Sequence, residues 1–214
     1  MEPDARTSGQ VAQDDHWSQR GLVLLAIYWV GISSVFSGLG VLLSGRLEYE
    51  HLVASGTEGS SLLQITALGN LLALLVQPTI GTISDYTHSR WGRRRPYIVV
   101  GALLDLVFLA GIALSNNVIS IAAFYLLLQL SANSAQGPYQ GYVPDMVPVR
   151  QVGFASALVG LMQVMGNVLG YGIGALGPAT GNYPIATIAL GTLEVSTMAF
   201  MILSVKEPPG ARDR

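Results

Sequence analysis

From Gly21 to Leu43 the chain carries no charge, and comparable runs recur at Leu62–Ile83, Tyr97–Leu114, Val118–Val143, Val152–Leu176 and Ile185–Val205, the third with one acid, Asp105, and the sixth with one, Glu194. A bilayer core is crossed by roughly 20 apolar residues in helical form. Each run meets that length or comes near it, so the pattern predicts an all-α membrane protein of six transmembrane helices. Composition agrees: half the residues are apolar and only 11% are charged, where a soluble domain carries about 25%. Helices of a soluble protein would show charged faces recurring every three to four residues, and none do. Between the third and fourth runs the break falls at Ser115, Asn116 and Asn117, a polar turn in an otherwise uncharged stretch.

Orientation follows from the basic residues, which collect on the cytoplasmic side of membrane proteins. With the N-terminus inside, the inner segments hold Arg6, Arg20, Arg90, Arg93, Arg94, Arg95, Arg150, Lys206, Arg212 and Arg214; of the 11 Lys and Arg only Arg46 falls outside. The expected organisation is therefore a cytoplasmic tail at 1–20, a transmembrane bundle at 21–205 and a second cytoplasmic tail at 206–214, in the plasma membrane. The opening residues mix acids and bases, unlike a secretory leader. The chain has no cysteine, and His16, His51 and His88 are too scattered for a metal site. Nothing calls for a cofactor, a nucleic-acid partner or an enzymatic triad; Gly172, Gly174 and Gly177 satisfy a dinucleotide-binding spacing but lie inside an apolar run without the strand it needs.

Polar residues within the spans carry the functional reading. In the fourth span Gln129, Asn133, Gln136 and Gln140 fall at i, i+4, i+7 and i+11, on one helical face. Amides facing lipid are costly, so this face should meet protein or water; four stacked amides favour a water-lined cavity. The fifth span repeats the spacing with Gln163, Asn167, Gly170 and Gly174, and Gly166, Gly170 and Gly174 form a small-residue ladder suited to helix packing. Tyr28 and Trp29 in the first span could stack on a bound solute. Asp105 and Glu194 lie near mid-bilayer, where a carboxyl is a candidate proton or cation site, with a protonated acid bonded to a neighbouring helix as the alternative.

The segment from Gln77 to Tyr97 is the most specific. Gly81 permits close helix approach, Asp85 can pair with an arginine or cap a helix end, Gly92 allows a tight turn, and Arg90, Arg93, Arg94 and Arg95 anchor the loop at the headgroups. Here the chain resembles the major facilitator superfamily, whose loop between helices two and three carries a Gly-x-x-x-Asp…Gly-Arg-Lys/Arg signature. The extended form, Ser84-Asp85 followed by Ser89-Arg90 and Gly92 to Pro96, resembles the sucrose–proton symporters and the related glycoside–pentoside–hexuronide:cation symporters. Asn133 to Pro138, followed by Asp145, is similar to the end of helix four in the sucrose carriers.

The resemblance spans residues 21–205 and implies one six-helix half, a 3+3 repeat, of a major facilitator fold. It implies that helices one and four line the path of a small polar solute, first of all a sugar or glycoside, with proton or sodium as the coupling ion and helices three and six more peripheral. Sucrose carriers have an acid where this chain has Gln129 and an arginine where it has Gln140, and melibiose-type carriers have acids matching Ala73 and Gln77. The amides suit a neutral polyhydroxylated solute, which asks for paired donors and acceptors. Because a complete carrier has two such halves, the chain is expected to pair with itself or with another half. A fragment of a longer carrier and a non-transporting membrane subunit are the competing expectations.

Overall fold

The computed structural model describes residues 16–49 and 52–205. The expected tails, beyond residues 16–20, lie outside the described residues, as does His51. Every regular element among the described residues is helical: α1 (Gln19–Ala26), α2 (Tyr28–Tyr49), α3 (Glu58–Asp85), α4 (Arg95–Leu114), α5 (Val118–Gln140), α6 (Tyr142–Met146), α7 (Val149–Thr180) and α8 (Tyr183–Ser204). They make 6 helical spans long and apolar enough to cross a membrane, α1 with α2 forming the first and α5 with α6 the fourth. The helices outrun the apolar stretches because polar residues at their ends continue the helix. The turn at Ser115–Asn117 falls where the sequence predicts it: Ser115 ends α4, and the Asn117 side chain caps α5 by accepting from Ser120 N at 2.9 Å.

The main packing partners exchange when the two halves of the chain are swapped, although α7 packs on α8 while α3 and α4 do not pack on each other in the same way. The first span, through α2, packs against α7 and α8; the fourth, through α5, packs against α3 and α4; α4 and α8 pack on each other. Swapping spans one, two and three for four, five and six leaves this pattern unchanged, which is the 3+3 repeat. Each three-helix repeat thus supplies a neighbour to the other's first helix.

Glycine sets how close these helices come. Lipid chains are as apolar as leucine, so helices in a bilayer are held by close packing more than by hydrophobic exclusion. A Cβ on Gly166, Gly170 or Gly174 would lie 2.5 Å from Val30 O, 2.3 Å from Ser34 O or 2.6 Å from Gly38 O respectively. The expected ladder on α7 therefore seats directly on the α2 backbone, one rung per helical turn. On α3, Gly69 accepts Tyr125 and Gln129 of α5, and Gly137 of α5 lies over the Gln77 carbonyl.

Burial is uneven. The first span is the most enclosed, with 72% of its apolar stretch buried, against 17% for α3 and for α7. Leu68, Leu71, Leu74 and Leu75 on α3 and Leu161, Val164, Val168 and Tyr171 on α7 are exposed. Arg46, the one basic residue expected at the outer end, is buried there and donates to Ile112 O at 2.5 Å and Ser115 O at 2.6 Å. A guanidinium at the last carbonyls of α4 satisfies groups the helix cannot.

Candidate solute site

At the end of the bundle that carries the arginine loop, the first, fourth and fifth spans diverge around a cavity of about 350 Å³. Its wall includes Trp29, Tyr139, Tyr142, Gln140, Ser156 and Gln163. The three rings belong to one cluster: Trp29 lies 5.4 Å from Tyr139, and Tyr139 meets Tyr142 edge-on at 6.0 Å. Tyr139 is fixed by donating its hydroxyl to Leu25 O at 2.5 Å. That acceptor sits at the end of α1, just before the break at Ile27 that separates α1 from α2. Rigid rings with amides at the rim form a surface that can stack on an apolar sugar face and hydrogen-bond its hydroxyls.

The amide stripe of α5 does not face this cavity as a unit. Gln129 and Asn133 are buried, with Gln129 pressed on Gly69 of α3 and Asn133 donating to the Gln129 carbonyl at 2.7 Å. Gln136 is half-buried, and only Gln140 is exposed, at the cavity wall. The sequence periodicity is right, but α3 covers the upper part of the face, so in this conformation Gln129 and Asn133 are helix contact and not cavity wall. Tyr28 also departs from expectation. It is wholly buried, stacks on Tyr139 at 4.9 Å and turns towards Glu194, leaving Trp29 as the ring of that pair on the cavity. On α7, Gln163 reaches the cavity while Asn167 is exposed.

Asp105 and Glu194, implied to be peripheral by the positions of their helices, are fully buried and lie against each other where α4 crosses α8. Ser131 of α5 donates to Asp105 Oδ1. The two acids, each expected as a candidate proton or cation site, form one cluster.

The arginine loop folds as a latch. Gly92 takes a φ of 104°, a left-handed turn that other residues resist. Arg94 is buried and bridges Asp85 at 2.6 Å and Asp145 at 2.6 Å, also donating to Pro138 O at 2.8 Å; Arg93 pairs with Asp145 as well. This ties α3, the loop and α6 together. Gly141 makes room for it, since a Cβ there would lie 1.1 Å from Arg94 Nη1. Arg90 stands apart, 5.9 Å over the ring of Trp91. Beside the latch is a second, polar cavity of about 400 Å³ lined by Gln77, Gly81, Asp85, Arg94, Gly137 and Gln140.

The family model described as Major Facilitator Superfamily matches residues 22–214. The chain belongs to the major facilitator superfamily. Among similar proteins, a sucrose transport protein of Oryza sativa subsp. japonica is 27% identical over 174 residues, covering 61% of this chain and 32% of the relative. Two sucrose transport proteins of Arabidopsis thaliana are 31% identical over 142 residues (56% of this chain, 24% of the relative) and 33% identical over 137 residues (56% and 26%). The matched stretch is thus about a quarter to a third of each of these relatives. This member of the superfamily is an integral membrane protein of a transporter family.

Sequence reasoning missed several cavity residues. Tyr139 and Tyr142 flank Gln140, but neither belongs to the polar periodicity of the fourth span. At the opposite end, Ser37, Gly40, Ser44 and Glu48 of α2 line a cavity of about 560 Å³ with Tyr171. They fall at i, i+3, i+7 and i+11, also one helical face, but glycine and serine give a weaker polar signal than glutamine.

Proposed function

We propose that this protein moves a small neutral polyhydroxylated solute, a sugar or glycoside, across the plasma membrane by alternating access, as one six-helix half working with a second. The cavity carrying Trp29, Tyr139, Gln140 and Gln163 supports this most directly, because it joins stacking surfaces to uncharged donors and acceptors on helices of a transporter family. At the cavity wall Gln140 presents an amide where the resemblance to sucrose carriers implies an arginine, which fits solute recognition by hydrogen bonds alone. The similarity to sucrose transport proteins makes disaccharides the first solutes to test.

In this reading the exposed faces of α3 and α7 meet the second half, another copy of this chain or a separate six-helix unit, and the cavities of about 350 Å³ and 560 Å³ are the two ends of one path closed on its open side by that partner. The distribution of basic residues supports a cytoplasmic position for both termini and for the Asp85–Arg94–Asp145 latch. Release of the latch accompanies opening at that end.

The test is uptake of a solute panel by proteoliposomes at two pH values, beside the oligomeric state measured in the same membranes. Saturable sugar uptake by a dimer supports the reading. Uptake that requires a second six-helix chain identifies the partner as a different half. A chain that stays monomeric and moves no solute with or without such a half overturns it.

A further inference from the structure

We propose that Asp105 and Glu194 together hold an exchangeable proton, in a site buried between the two three-helix repeats and separated from the solute cavity by Tyr28 and Tyr139. The site is built by close helix crossings. Gly31 of α2 brings α8 near enough that a Cβ would lie 2.7 Å from Glu194 Cα, Gly101 of α4 sits on the Ser131 carbonyl of α5, and Gly191 of α8 sits on Leu106 of α4. Four helices thus close on two carboxyls.

The groups facing the pair are few. Tyr28 comes from α2 with Tyr139 of α5 behind it, and Ser131 of α5 donates to Asp105. No lysine, arginine or histidine among the described residues acts on either carboxyl. Two adjacent carboxylates without a cation repel each other and lose their hydration in so closed a site. Three polar atoms there, Tyr28 Oη, Asp105 Oδ2 and Glu194 Oε2, are buried with no hydrogen-bond partner. A proton bonded to one carboxylate oxygen and donated to the other relieves the repulsion and uses these orphans, with the Tyr28 hydroxyl donating to Glu194. A metal cation would need several oxygens and space, and none of the three cavities described above is lined by either acid. A proton needs no volume.

Tyr28 stacks on Tyr139, which is itself a wall of the solute cavity, so the ring pair lies between the two sites. The proton site stands independently of the solute assignment, and its test uses no solute. Infrared spectra of the purified chain in lipid nanodiscs, recorded from neutral to alkaline pH, report the carbonyl stretch of protonated carboxyls. Exposed carboxyls are ionised well below neutrality, with values of about 4, so a band persisting at neutral pH belongs to buried acids. We expect such a band, lost as pH rises, abolished or strongly reduced in Asp105→Asn and in Glu194→Gln, and shifted in frequency in Tyr28→Phe. The last variant removes only a hydroxyl and keeps the test open should a carboxyl variant misfold. Absence of the band in the unaltered protein, or a band indifferent to all three substitutions, overturns the proposal. Loss of the band on adding sodium at constant pH overturns it in favour of a sodium site.

Discussion

Replacing Gly170 by alanine tests the packing that holds the first span in place. The new Cβ would lie 2.3 Å from Ser34 O and 2.2 Å from Ser37 Oγ. The serine hydroxyl can rotate away, but a backbone carbonyl cannot. Carbon and oxygen ordinarily approach to about 3.3 Å, so α2 and α7 must separate locally by about 1 Å. That separation weakens the neighbouring rungs at Gly166 and Gly174. Overpacking of this kind costs about 1–3 kcal/mol, against which alanine regains about 1 kcal/mol of helix propensity. The expected result is a net loss of about 1–2 kcal/mol. Gly172 lies two residues away on the same helix, and a Cβ there meets nothing within 4 Å. Gly172→Ala should therefore keep only the propensity gain, and the two variants should move stability in opposite directions. Thermal unfolding in mild detergent, followed by tryptophan fluorescence, reads the difference. Equal shifts of the same sign for both variants would refute the close α2–α7 contact.

Other substitutions probe other parts of the bundle. Gly141→Ala should expel the Arg94 guanidinium from its seat between Asp85 and Asp145; losing charge-assisted hydrogen bonds of about 1.5–3 kcal/mol each, discounted because Asp85 is half exposed, should cost about 2–4 kcal/mol in the same assay and raise accessibility of the arginine end to a water-soluble thiol reagent at an introduced cysteine. Arg46→Met should strand the carbonyls of Ile112 and Ser115 and lower stability by about 2–4 kcal/mol, with Arg46→Lys recovering only part because one ammonium cannot match the two-pronged geometry. Gln140→Ala and Gln163→Ala each remove hydrogen bonds of about 0.5–1.5 kcal/mol at accessible positions, so each should weaken solute affinity roughly 2- to 10-fold in a binding or uptake assay while leaving unfolding temperature nearly unchanged.

The bundle was legible because its controlling signal, long uncharged runs set off by polar breaks, is local in sequence. Asn117 caps α5 and the glycine ladder of α7 packs as its spacing implies, since both depend on residues one or two turns apart. The cluster of Tyr28, Asp105, Ser131 and Glu194 was not legible: its members come from four spans, and no periodicity on one helix tells which neighbour a face will meet. The same limit explains Gln129 and Asn133. Their shared face is fixed by helical geometry, but whether that face borders water or α3 depends on Gly69, more than fifty residues upstream.

The interleaved repeats bear on how the chain is made. The segment that buries the first span most closely is α7, and the Ser37 hydroxyl finds the Asn167 carbonyl 130 residues further along the chain. As synthesis proceeds, α2 must wait in lipid with its serines and Gly38 uncovered until α7 is inserted. During that interval it is open to other small-residue helices and to membrane chaperones. A nascent chain halted after the third span should therefore be a far better substrate for quality control than one released after the sixth.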